Sequence, residues 1–174
     1  MNPKSKMFRS LGKVKVFRFQ CGKIILMPLR DRWYQVTQDT WVKVWTDIGV
    51  MTINVKAGFK FDGRSGGWFA DLWAPNLGTQ RSIACWLVHD VLGHDFDISF
   101  RTTNDILEQM RLIVRIEEKP KEYGSFRSWL YKKKSTFMAW GTKIAVSVDR
   151  SWFGNNTAEE LINKKRATIE WGDK

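Results

Sequence analysis

The chain is poor in cysteine, proline and histidine, with two, four and two of each among 174 residues. Two cysteines, Cys21 and Cys85, cannot build a disulfide scaffold, so the fold must rest on a hydrophobic core. Four prolines and 13 glycines exclude a collagen-like or low-complexity chain. No uncharged apolar run approaches the ~20 residues that a membrane-spanning helix needs. Met1 to Ser10 is basic, but no apolar segment follows it, so no signal peptide is expected.

What is abundant is apolar area and positive charge. Hydrophobic residues make up 43% and aromatic residues 14%, with 10 tryptophans, which is ample to fill the core of one domain. The net charge is +11, and it is unevenly placed. Residues 1–35 carry nine basic and one acidic side chain, and residues 111–150 carry ten basic and four acidic. Between them, residues 36–110 carry six basic and nine acidic, and that stretch holds both histidines. Basic flanks favour polyanionic partners: nucleic acid, anionic lipid or an acidic protein surface. No zinc-finger spacing, RNP-type aromatic motif or arginine-rich block narrows that choice.

The hydrophobic period divides the chain. Residues 13–61 read as strands. Basic and apolar residues alternate from Lys13, and Trp41-Val42-Lys43-Val44-Trp45 suits a half-buried pleated surface. Asp47-Ile48-Gly49 reads as a turn before a further strand at Met51–Val55. Residues 62–79 form a Gly-rich loop with aromatic anchors. From residue 80 the period becomes helical. Ser82 is the expected N-cap, and Ile83, Leu87 and Val91 make one apolar row beside Ala84, Val88 and Leu92. Gly93 is the expected stop. A second helix is expected over 103–116 and a third over 126–149, with a polar tail, loop then helix, over 150–174. The reading is one α+β domain: a basic arm (1–12), a small antiparallel sheet in the N-terminal third, then a three-helix unit.

Chemistry concentrates at Val88-His89-Asp90 and Gly93-His94-Asp95. His89 and Asp90 fall in the middle of the most buried helix, and a buried carboxylate needs a partner or a metal. Asp62, at the end of the strands, and Asp105, expected in the first turn of the second helix, are the next acidic candidates. Phosphohydrolases with a His…His-Asp…Asp pattern need an upstream histidine, which this chain lacks. Cys85 and His89 stand at i, i+4, half of a zinc site at most. A hard divalent metal such as calcium, held by Asp90 and Asp62, is compatible with the acidic centre. No P-loop, nucleophile elbow or dinucleotide fingerprint is present.

Three segments together carry a resemblance. Ala57-Gly58-Phe59-Lys60-Phe61-Asp62-Gly63-Arg64-Ser65, Ser82 through Leu92 with its His-Asp pair, and Arg101-Thr102-Thr103-Asn104-Asp105 resemble a family of small phage and prophage proteins, domain of unknown function 1353. Its pattern is Gly-Phe-x-x-Asp-x-x-Ser, then His-Asp-x-Leu-Tyr, then Arg-x-x-x-Asp, and the likeness covers about residues 33–154. It carries over onto Asp62, Ser65, His89, Asp90, Arg101 and Asp105. Gly66-Gly67 stands where the family has Pro, and Gly93 where it has Tyr. The resemblance implies a phage context, with a place in the virion or the host cytoplasm and other phage proteins as partners.

A looser likeness is to phospholipases A2, which also set a His-Asp pair on one helix and an Asp on the next. There the histidine is the general base for water and the adjacent aspartate binds calcium. Two classes therefore follow. One is a phage accessory or virion-associated protein whose His-Asp cluster is a buried clamp. The other is a metal-assisted hydrolase, in which His89 activates water, Asp90 holds the metal and Asp105 orients His89. Either class expects Asp62, His89, Asp90, Arg101 and Asp105 to gather in one cluster.

Overall fold

The computed structural model describes residues 14–29, 33–61, 79–95, 100–117 and 166–173. The fold is α+β. The N-terminal part is antiparallel sheet, in strands β1 (Val16–Cys21), β2 (Leu26–Pro28), β3 (Tyr34–Val36), β4 (Thr40–Thr46), β5 (Gly49–Val55) and β6 (Lys60–Phe61). Two helices follow, α1 (Gln80–Asp90) and α2 (Phe100–Glu117), and then a strand, β7 (Ala167–Gly172). The third helix expected over 126–149 lies outside the described residues.

The strands form two sheets rather than one. The larger has the order β1-β4-β5-β7, and the smaller β2-β3-β6. The β4–β5 hairpin turns where the sequence places it, through Asp47 and Ile48, with Thr46 paired to Gly49. In β4 the alternation is complete: Val42 and Val44 are fully buried while Trp41 and Lys43 face outward. In β1 it is broken by a bulge between Val16 and Arg18. The extra residue, Phe17, is exposed, and the phase shifts so that Val16 and Phe19 both reach the core.

The expected polar tail is corrected in part: residues 167–172 are a strand and not a helix. Ala167, Ile169 and Trp171 alternate with the exposed Thr168, Glu170 and Gly172, and β7 pairs along the whole of β5 from Val55↔Ala167 to Val50↔Gly172. Arg166, just before β7, folds its guanidinium onto the carbonyl oxygen of Ala57. Gly58 beside it has φ +88, and a Cβ there would fall against the Arg166 guanidinium. That turn requires glycine for its backbone angle, and a side chain there would also have to move the Arg166 guanidinium.

Both helices pack on β1, and each is tied to the strand region by a glutamine. On α1, Gln80 accepts from Ile24 N–H at 2.7 Å and donates to Ile24 O at 2.9 Å. On α2, Gln109 accepts from Val16 N–H at 2.8 Å and donates to Val14 O at 2.7 Å. Each amide gives the main chain the pair of bonds that a neighbouring strand would give. Arg81 adds a third tie. Its guanidinium stacks on Phe19, 4.6 Å from the ring centre, donates to Phe19 O and meets Glu117 of α2. The core between sheet and helices runs through Phe19, Met51, Ile53, Leu87, Leu92, Ile106 and Met110, all fully buried.

Candidate functional site: the His89–Asp90 pair

Helix α1 starts at Thr79, not Ser82. The Thr79 hydroxyl accepts from Ser82 N–H and closes the first turn. It also does not stop at Gly93. It passes directly into a π-helical turn, Val91–Asp95, that contains Gly93. The Val91 N–H divides between the carbonyls of Leu87, four residues back, and Val88, three residues back, at the junction. Gly93 sits against α2, where a Cβ would meet the Thr103 methyl at an ordinary 3.8 Å. The two apolar rows of α1 are borne out: Ile83, Leu87 and Val91 are buried, and so are Ala84, Val88 and Leu92.

His89 and Asp90, 5% and 2% exposed, close α1, and the buried stretch runs on through Val91 and Leu92. His89 Nδ1 stands 2.8 Å from Asp90 Oδ1, and its Nε2 stands 3.0 Å from Asn104 Oδ1 on α2. A carboxylate and an amide oxygen only accept, so each ring nitrogen faces an acceptor. The Trp86 indole closes a third side, edge-on to the imidazole at 6.4 Å, and Arg111 of α2 lies over that indole at 5.0 Å. The opposite atom of the Asn104 amide, Nδ2, is buried and makes no hydrogen bond.

Of the expected cluster, His89 and Asp90 meet. Asp105 does not join them: Asn104 occupies the position beside His89 Nε2. The cause is helical register. At about 100° per residue, a helix that buries Thr103, Ile106, Leu107 and Met110 turns Asp105 nearly to its opposite side. Asn104 lies one turn before Leu107 and so on the flank that meets α1. Helix α2 also begins at Phe100, three residues earlier than expected, which places Asp105 in its second turn. Asp62, Ser65 and the side chains of Arg101, His94 and Asp95 lie outside the described residues. Asn104 is the member that sequence reasoning missed, although its i, i+3 relation to Leu107 marked its side of the helix.

Among the described residues, no three His, Cys, Asp or Glu side chains gather as metal ligands would. The thiol of Cys85 donates to Arg81 O, one turn back in its own helix, instead of joining His89. Cys21 has a displaced titration. Burial pushes its thiol above the usual 9.0, and the nearby Arg81 charge offsets part of that rise. No helix among the described residues is long and apolar enough to cross a membrane. No family model, curated protein or solved structure matches this chain.

Proposed function

We propose that this chain is a phage-encoded accessory or virion-associated protein in which His89 and Asp90 form a structural clamp. The phage assignment rests on the three sequence segments described above, and other phage proteins are the partners it implies. The clamp reading rests on one observation: His89 is 5% exposed and both of its nitrogens face acceptors of its own chain. A general base needs a bare nitrogen within reach of water or substrate, and this imidazole presents none. What the pair does instead is join α1 to α2 through Asn104.

The second reading, a metal-assisted hydrolase acting on an ester or phosphodiester at an anionic surface, draws support from the π-helical turn that follows the pair. Such turns are frequent at functional sites. One experiment separates the two. His89→Ala and Asp90→Ala are melted beside the parent, and the parent is screened for ester and phosphodiester hydrolysis with and without divalent cations. A clamp gives a loss of ~1–3 kcal/mol in each variant and no hydrolysis by the parent. Hydrolysis that vanishes in a His89→Ala variant of unchanged stability would establish the enzyme instead.

A further inference from the structure

The outer face of the larger sheet, turned away from both helices, carries a second constellation. Register sets three rows across it. Arg18 pairs with Trp45, which pairs with Val50. Gln20 pairs with Lys43, Lys43 with Thr52, and Thr52 with Glu170. Trp41 pairs with Asn54, and Asn54 with Thr168. The Arg18 guanidinium lies 4.2 Å from the Trp45 ring centre, and Lys43 Nζ lies 5.3 Å from the same ring. Trp41 is 40% exposed, and its indole lies across Gly22, where a Cβ would stand 3.0 Å from Nε1. At the β1 edge, Lys15 Nζ sits 5.5 Å over the exposed Phe17 ring.

We propose that this face binds single-stranded nucleic acid, with Trp41 as the stacking platform and Arg18 and Lys43, held over the Trp45 ring, as phosphate partners. The two indoles are four residues apart on one strand, about 13 Å. The exposed Trp41 indole is backed by the bare main chain of Gly22 and offers a flat, supported π surface, while the Trp45 ring carries Arg18 and Lys43. The charge is complementary on the β1–β4 side: Lys15, Arg18 and Lys43 are all cationic. The acidic group on this face, Glu170, is at the far β7 edge and accepts from Asn54 Nδ2. A membrane-inserting face would present contiguous apolar residues. Gln20, Thr52, Asn54 and Thr168 make this one polar between its two indoles.

The test is fluorescence anisotropy of a labelled oligothymidylate with the full chain, run beside a DNA duplex of the same length and phosphatidylserine vesicles. The oligothymidylate should bind best and quench tryptophan emission. Trp41→Ala should weaken it roughly 5- to 100-fold, the range for loss of one stacked base. Arg18→Gln with Lys43→Gln should lower the log–log salt slope by about 1.4, because two phosphates of the single strand are no longer neutralised. Gly22→Ala, which pushes on the Trp41 indole, should weaken binding although every stacking and charged side chain stays in place. Thermal melting of each variant confirms folding, and the conservative Trp41→Phe should retain most of the affinity. Equal or tighter binding of the duplex, binding to vesicles alone, or variants that bind like the parent would overturn the proposal.

Discussion

Asn104 Oδ1 and His89 Nε2 stand 3.0 Å apart across the α1–α2 interface, and Asp105, the next residue along, is not part of that contact. The carboxylate that the sequence offers as the histidine's partner is displaced by one position. Substitution should expose the difference. Asn104→Ala takes away the partner of a buried ring nitrogen and should cost ~1–3 kcal/mol. Asp105→Ala should stay within about 0.5 kcal/mol of the parent, as surface changes usually do. Urea melts of the two variants measure both. Equal losses would mean that Asp105 supports the cluster after all.

Gln80 and Gln109 should prove more costly to replace than their polarity suggests. Gln80→Leu or Gln109→Leu keeps much of the side-chain volume but removes one donor and one acceptor for the main chain. Each should lose ~1–3 kcal/mol. The glutamines sit on different helices and share no partner, so the double variant should lose the sum to within about 0.5 kcal/mol. Chemical denaturation reads all three. A double variant no worse than either single would show that the two ties depend on each other.

At Gly58 two penalties coincide. Gly58→Ala must hold an alanine at φ +88 and also displace the Arg166 guanidinium from Ala57 O. The backbone term alone is about 1–2 kcal/mol. The second should show in a double-mutant cycle with Arg166→Ala, where Gly58→Ala costs less once the guanidinium is gone. An unchanged cost would place the whole effect in the backbone.

The Cys21 thiol gives a pH signature. Its folded-state titration lies above that of a solvated thiol because burial disfavours the thiolate. The folded chain therefore binds this proton more tightly than the unfolded chain. The associated stability is fully present below about pH 9 and falls as pH rises through the folded value. Melting curves of the parent should decline on the alkaline side more steeply than those of Cys21→Ala. Alkylation of folded Cys21 near neutral pH should be slower than in denaturant. A thiol as reactive as the denatured one would refute the burial argument.

Much of the fold was legible where pattern and length agreed. The β4–β5 hairpin shows seven-residue strands around a short turn, and α1 buries both of its apolar rows. What escaped was local geometry that alternation cannot encode. The bulge at Phe17 lets two residues three apart share a face. The π-helical turn carries the chain through Gly93, a residue that would ordinarily end a helix. β7 does alternate, Ala167, Ile169 and Trp171 against Thr168, Glu170 and Gly172, but it is six residues long and follows a polar stretch. At the site, His89 and Asp90 were legible as a buried pair. Their partner was not, because a carboxylate in the sequence outweighed an amide, although the helical register of Ile106 and Leu107 favoured the amide.

The pairing of β5 with β7 spans most of the chain: Asn54 and Glu170, bonded side by side, are 116 residues apart. During synthesis β5 therefore leaves the ribosome long before the strand that covers its edge. Until β7 arrives, a run of valine, methionine and isoleucine presents unpaired main-chain groups to any neighbouring chain. Contacts of such sequence separation also form slowly, because loop closure must precede the pairing. The sheet can be completed only late, so the interval before β7 docks is when nascent chains are most exposed to one another.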